Sequence, residues 1–304
     1  MNQKHSQPAS RASRLAAQLR QYGLLMRLDR PIGTMLLLWP TLWALWIAGN
    51  GRPDPQVFLV FVLGVFLLRS AGCVINDLAD RNFDQHVART RQRPLAAGKV
   101  SYFEALFLFF GLMLIAFGLV LSMNRLTIYM AVGGAALASI YPFAKRITHL
   151  PQLVLGAAFG WGVPMAFAAQ TGAIPQLAWL IFLVVVVWAT IYDTMYAMVD
   201  REDDLAIGLK STAILFGGAD VFIISILQLA LVAGLVMMGT MAGLGPWYLL
   251  GVAAAAASSV HQWHLIRKRN PDDCFRAFLN NNLLGAWVFA GILLHFTFTP
   301  YGPV

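Results

Sequence analysis

Polarity along this chain alternates on a long scale. Nine stretches, each near the roughly twenty residues that a helix needs to cross a bilayer, are almost wholly apolar: 32–49, 56–76, 103–122, 125–143, 151–170, 176–199, 219–240, 244–265 and 275–297. Each predicts a transmembrane helix. Residues 1–30 are different: Lys4, Arg11, Arg14, Arg20, Arg27 and Arg30 stand against Asp29 alone, while Leu15, Leu19, Tyr22 and Met26 recur at helical spacing. That pattern predicts an amphipathic helix on the membrane surface. An acid-poor start rich in Arg and Ser also fits a mitochondrial transit peptide, but the segment is short and has no secretory apolar core before the first span. Short connections separate most spans, which predicts one compact membrane domain over 31–304 behind an N-terminal segment, 1–30.

Composition agrees. The 304 residues are 59% hydrophobic and 12% charged with mean hydropathy +0.66, whereas a soluble domain carries about 25% charged residues. A net charge of +8 could suggest nucleic acid, but the basic residues lie between apolar runs, which makes anionic membrane lipids and phosphorylated substrates the expected partners. Their distribution also sets orientation. One side of the membrane receives the N-terminal arginines, Arg81, Arg89, Arg91, Arg93, Lys99, Lys145, Arg146, Arg201, Lys210, Arg267, Lys268, Arg269 and Arg276; the other receives Arg52 and Arg125. The positive-inside rule puts the N-terminus in the cytoplasm and the C-terminus on the outer side. Cys73 and Cys274 are far apart and offer neither a disulfide framework nor metal-ligand spacing.

Of 14 acidic residues, eight fall in two windows at the cytoplasmic ends of apolar runs. In Asn76-Asp77-Leu78-Ala79-Asp80-Arg81-Asn82-Phe83-Asp84, continued helix stacks Asn76, Asp80 and Asp84 on one face over about 12 Å, with Asp77 beside them. In Tyr192 to Asp204, the positions Asp193, Tyr196, Asp200 and Asp204 share a face in the same way, with Asp203 alongside. Each window opens a longer loop, 77–102 or 200–218, and each loop closes on basic or hydroxyl residues, Arg89 to Leu95 or Gly208 to Thr212. The similarity hints at an internal duplication and at two half-sites facing each other.

Carboxylates at a membrane edge are costly unless paired or bound to cations. Ion pairs that hold loops shut would meet that need, but acids outnumber bases inside each window. Several carboxylates and an amide on one face suit Mg²⁺, which takes oxygen ligands, keeps waters and is usually completed by substrate phosphates. With arginines and lysines at the fringe, the arrangement describes a diphosphate clamp. In a membrane cavity the diphosphate would be a lipid's, whose departing pyrophosphate leaves an allylic cation for an electron-rich acceptor.

At these residues the chain resembles the intramembrane prenyltransferases. Their signatures, N-D-x-x-D-x-x-x-D and D-x-x-x-D followed by a glycine-lysine-serine element, stand here as Asn76 to Asp84 and as Asp200 to Asp204 with Gly208, Lys210 and Ser211. Further matches run through Leu28 to Thr34, Trp39-Pro40-Thr41, Tyr141 to Arg146, Thr148 to Gln152 and Tyr192 to Asp200. The resemblance implies an all-α fold of nine transmembrane helices around a cytoplasm-facing central cavity, Mg²⁺, a polyprenyl diphosphate donor and 4-hydroxybenzoate as acceptor, as in ubiquinone biosynthesis. Haem, homogentisate or a naphthoate as acceptor would use the same aspartates. A cation-coupled transporter would instead hold its acidic residues near the bilayer midplane.

Roles follow for individual residues. Asn76, Asp80, Asp200 and Asp204 are the expected metal ligands, with Asp77, Asp84 and Asp203 as further ligands or groups behind them. Lys145, Arg146, Lys210 and Arg93 are expected at the diphosphate. Asp193, deeper in its span than Asp200, is a candidate acceptor for the phenolic proton. Arg69, about 10 Å deeper than Asn76 on the same face, either binds the acceptor's carboxylate or pairs with Asp193. The small-residue run Gly156 to Gly160 reads as close helix packing, and His261 with His264 as an interfacial pair rather than a metal site.

Overall fold

The computed structural model describes residues 10–84, 90–206 and 208–299, without the side chains of 82–84, 141–143 and 145. Among these residues every regular element is helical. In chain order the helices are α1 (Arg11–Leu25), α2 (Ile32–Ala48), α3 (Pro55–Asp84), α4 (Tyr102–Val120), α5 (Arg125–Ile147), α6 (Pro151–Gly160), α7 (Gly162–Thr171), α8 (Gln176–Val199), α9 (Arg201–Ala206), α10 (Thr212–Phe216), α11 (Asp220–Met241), α12 (Pro246–Ile266) and α13 (Pro271–Phe298).

Every apolar stretch of the sequence becomes helix, with boundaries close to those its polarity predicts. Length and hydropathy together qualify six segments as membrane spans among the described residues: Pro55–Arg81, Tyr102–Val120, Pro151–Thr171, Gln176–Val199, Thr212–Met241 and Pro271–Phe298. This is a multi-pass membrane protein. The other three apolar stretches lie on α2, on α5 and on α12. The first is 17 residues long, the second runs into Lys145 and Arg146 before its helix ends, and the third carries Ser258, Ser259, His261, Gln262 and His264 in its second half.

Tertiary contacts divide the chain into two groups, Met1–Pro31 with Phe66–Ala116, and Ile32–Val65 with Phe117–Val304. In the smaller group, Leu25 at the end of α1 is fully buried with Val74 and Leu78 of α3, Leu95 and Val100 of the connection before α4, and Ala105 of α4. Polar bonds set its register. Ser101 and Glu104 form a capping box at the start of α4, Ser101 N–H to Glu104 Oε2 at 2.8 Å and Glu104 N–H to Ser101 Oγ at 3.2 Å. Glu104 Oε1 also accepts from Gln18 at 2.8 Å and from Tyr22 at 2.7 Å. The amphipathic N-terminal helix is thereby bonded to α4 along its Gln18, Tyr22 and Leu25 side, while Leu15 and Leu19 stay exposed.

In the larger group, α13 is a hub because three consecutive asparagines, about 100° apart on a helix, reach three neighbours. Asn280 accepts from Gln262 of α12 at 3.1 Å, Asn281 from the buried Trp188 of α8 at 2.9 Å, and Asn282 from Trp39 of α2 at 2.8 Å. Small residues let backbones touch. A Cβ on Gly251 would lie 2.5 Å from the Trp287 carbonyl oxygen and 2.8 Å from Gly291 Cα, so α12 and α13 cross at a contact no side chain could enter. The Gly156 to Gly160 run does the same for α6, since a Cβ on Gly156 would sit 3.0 Å from Val186 Cα of α8. Between α6 and α7 the helix breaks at Trp161. Pro164 lacks the N–H that would bond the Gly160 carbonyl, and the Trp161 indole donates to the Met130 carbonyl at 2.7 Å.

Candidate active site

Helix α3 runs without interruption through Asp84, so Asn76 and Asp80 share a face as their spacing predicts, both half-buried. Arg69 lies on that face two turns earlier, half-buried, with no hydrogen-bond or ion-pair partner among the described residues. The side chains of Asp84 and Lys145 lie outside the described residues. Asp77 stands where the polar face meets the face of Val74 and Leu78 that packs inward. It is 2% exposed. Arg27 Nη2 donates to both of its carboxylate oxygens, at 2.7 and 2.9 Å, and Arg93 Nη1 donates to Oδ1 at 3.3 Å. The same Arg27 donates through Nη1 to the carbonyls of Leu24 and Leu25, which caps the end of α1 with positive charge. Two residues expected at the metal and the diphosphate, Asp77 and Arg93, are therefore bonded to each other, and Asp77 is bonded to Arg27 as well.

The second acidic stretch does not continue as one helix. Helix α8 ends at Val199, Asp200 turns out of helical geometry at φ −96°, ψ 6°, and α9 restarts at Arg201. The reason is electrostatic. Asp200, Glu202, Asp203 and Asp204 would crowd one turn at the negative end of α8, whereas at the start of a new helix three of them meet its positive end. The shared helical face expected for Asp193 and Asp204 is lost at this break, although the Asp204 N–H still bonds the Asp200 carbonyl at 2.8 Å. Asp200 and Asp204 are half-buried, as is Asp193, and Asp203 is exposed.

Beyond α9 the glycine-lysine-serine element shows three different uses. Gly208 adopts φ 72°, a left-handed turn that glycine makes without strain, and the Leu209 N–H closes back on the Asp204 carbonyl at 2.9 Å. Lys210 Nζ donates to the Ile147 carbonyl at 3.2 Å, which brings it to the end of α5 beside the exposed Arg146. Ser211 caps α10, and Thr212 is buried against Thr194 (2.6 Å) and Gln152 (3.1 Å). From Thr194 back along α8 runs an aromatic ladder. Trp43 stacks on Trp188 at 5.2 Å, Trp188 meets Tyr192 at 5.6 Å, and Phe278 meets Tyr192 at 6.2 Å and Tyr196 at 4.9 Å.

Sequence reasoning missed Asp220. Fully buried at the start of α11, its carboxylate accepts from Arg201 Nη2 and from Arg269 Nε at 2.9 and 3.3 Å. These bonds and the carboxylate's charge push the Arg269 pKa above its ordinary value. The signal is present in the sequence: an acid beginning an apolar run needs a partner, and the Arg267 to Arg269 cluster offers one. His261 and His264 are both exposed, as an interfacial pair should be.

Among the described residues no three His, Cys, Asp or Glu side chains converge to hold a metal on protein atoms alone. Mg²⁺ does not require such a cage, since it keeps waters and is completed by phosphate oxygens. The half-buried amide and carboxylate of Asn76 and Asp80 are hard oxygen donors of the type it takes. An apolar cavity of about 430 Å³ lies among Ile47, Phe167, Leu177 and Met241, at the ends of α2, α7 and α11. It sits at the opposite end of α8 from Asp200 and contains none of these groups.

Fold and residues together define an all-helical, multi-pass membrane protein with two acidic stretches fringed by cationic side chains. The UbiA prenyltransferase family matches residues 37–297, and the chain belongs to that family. It is 64% identical over 275 residues, covering 90% of this chain and 96% of the relative, to a protein of Nitrosococcus oceani named 4-hydroxybenzoate octaprenyltransferase. A UbiA homolog from Aeropyrum pernix K1 has a similar solved structure, with TM-score 0.77 and 25% identity over 86% of this chain and 96% of that one. A homolog from Archaeoglobus fulgidus, solved bound to GPP and Mg²⁺, shares the fold at TM-score 0.68 and 19% identity over 90% of this chain and 99% of that one.

Proposed function

We propose that this protein transfers a polyprenyl group from polyprenyl diphosphate to the ring carbon ortho to the hydroxyl of 4-hydroxybenzoate, releasing diphosphate, as a step of ubiquinone biosynthesis. The observation that carries this reading is the 64% identity, across nine-tenths of the chain, to the protein of that name. An octaprenyl donor is the length that name gives. Nine helices crossing a bacterial inner membrane, a central cavity open to the cytoplasm, and a periplasmic C-terminus are the architecture we infer with it. The asymmetry of basic residues supports the orientation, and reporter fusions at the C-terminus that were active only in the cytoplasm would contradict it.

In this reading Asn76, Asp80 and Asp84 form one set of Mg²⁺ ligands and Asp200, Asp203 and Asp204 the other. When bound, Mg²⁺ neutralises the diphosphate and makes it a better leaving group. Lys145, Arg146 and Lys210 hold the phosphate oxygens. Aromatic and apolar walls exclude water from the carbon that loses it, so the prenyl group reaches the acceptor rather than solvent. Asp193 takes the proton that the acceptor releases. Arg69 holds the carboxylate of the aromatic acid through a charge-assisted pair.

The test is a reaction of purified protein with Mg²⁺, labelled 4-hydroxybenzoate and a series of prenyl diphosphates, with products identified by mass spectrometry. Product from homogentisate or a naphthoate, and none from 4-hydroxybenzoate, would replace this acceptor with another. Kinetic constants then separate the roles. Arg146→Ala and Lys210→Ala should raise KM for the donor far more than for the acid, and Asp193→Asn should lower kcat with donor binding intact. Arg69→Met should raise KM for 4-hydroxybenzoate about tenfold or more and change little for a phenol without the acid group. Equal losses on both acceptors would remove Arg69 from the acid's site.

A further inference from the structure

Asp220 belongs to none of the sequence motifs, yet three parts of the larger group meet at its carboxylate. Arg201 reaches it from the first residue of α9 and Arg269 from the α12–α13 connection, while the Val221 N–H donates to Oδ1 at 2.6 Å. Arg269 also donates to the Gly218 carbonyl at 2.7 Å and holds a left-handed backbone at φ 56°. A left-handed arginine is strained and persists only where its surroundings determine it.

What these bonds support is a helix that cannot support itself. Helix α9 has six residues, none of them buried, and an isolated helix of that length does not hold in water. It nevertheless carries Asp203 and Asp204 and follows directly on Asp200. Its far end is tied by the Gly208 turn and the buried Ser211 and Thr212. Its near end is tied by Arg201, and Arg201 is tied by Asp220. The smaller group repeats the device: Asp77 is buried between Arg27 and Arg93, and Arg27 is left-handed at φ 59°. Each acidic stretch is thus tied through arginine to one buried carboxylate, Asp77 within the first and Asp220 outside the second.

We propose that Asp220, through Arg201 and Arg269, is a positioning residue that fixes Asp200 and Asp204 in the geometry that binds Mg²⁺ and diphosphate. The inference rests on the reaction proposed above for the identity of the ligands. Its test uses the full chain in lipid nanodiscs with pyrophosphate, Mn²⁺ binding read by electron paramagnetic resonance, and hydrogen exchange of residues 201–206. The variants are Asp220→Asn, Arg269→Gln and Arg269→Lys. Asp273→Asn, which removes an exposed i,i+3 pair with Arg276, is the control. Asp220→Asn and Arg269→Gln should each weaken Mn²⁺ about tenfold or more, in line with the usual effect of losing a group behind a metal ligand, and should speed exchange in 201–206. Arg269→Lys should recover part of both losses, and the control should show neither. The inference is overturned if the variants melt lower yet keep wild-type Mn²⁺ affinity and exchange. Should Asp220→Asn fail to accumulate, Arg269→Gln decides alone, because the Arg269 side chain is 40% exposed. A wild-type chain that bound Mn²⁺ with pyrophosphate but transferred no prenyl group would overturn the proposed reaction and leave this inference standing.

Discussion

Replacing Asp80 or Asp204 by alanine is expected to lower prenyl transfer about a hundredfold to a thousandfold at limiting Mg²⁺, the scale on which loss of one electrostatic stabiliser of a transition state acts. Each lies in a different acidic stretch, and each is half-buried at the cytoplasm-facing end inferred for its helices. Turnover measured against Mg²⁺ concentration, with the melting temperature as companion, checks the claim. Near-normal turnover at limiting Mg²⁺ in either variant would remove that aspartate from the metal's ligands.

Asp77→Ala should act differently, through stability. Removing a carboxylate that is 3% exposed in its side chain leaves Arg27 and Arg93 without it, at 20% and 29% exposure. Breaking a buried pair costs about 3–5 kcal/mol, and the partial exposure of both arginines puts the expected loss near the lower end, about 3 kcal/mol. In a detergent-solubilised melt this should appear as a clear fall in Tm, with Asp77→Asn falling less because it keeps an acceptor for Arg27. An unchanged melt together with weakened Mg²⁺ dependence would return Asp77 to the metal's ligands, where its place in the motif first suggested it belonged.

The contrast between Asp77 and Asp80 shows where sequence stops being informative. Both are aspartates of one motif, three residues apart. Helical spacing alone puts Asp77 beside the ligand face. Its actual partner depends on Arg27, fifty residues earlier, which reaches it from the end of a helix docked on Val74 and Leu78. Asp220 was hidden for the same reason, since its arginines lie 19 and 49 residues away, one in α9 and one in the α12–α13 connection. The break at Asp200 was half legible. A run of four acids in five residues argues against continued helix, but the spacing of Asp193, Asp200 and Asp204 fits a helix that runs on.

By itself the sequence determined the class of this protein, the helices and their approximate ends, and the two acidic stretches. These follow from properties local to the chain: the length of apolar runs, the density of charge, and the 3.6-residue period. Only the tertiary structure decided which distant arginines hold the buried carboxylates of Asp77 and Asp220. That choice depends on side chains brought together from distant positions, and no local period encodes the partner of a buried charge.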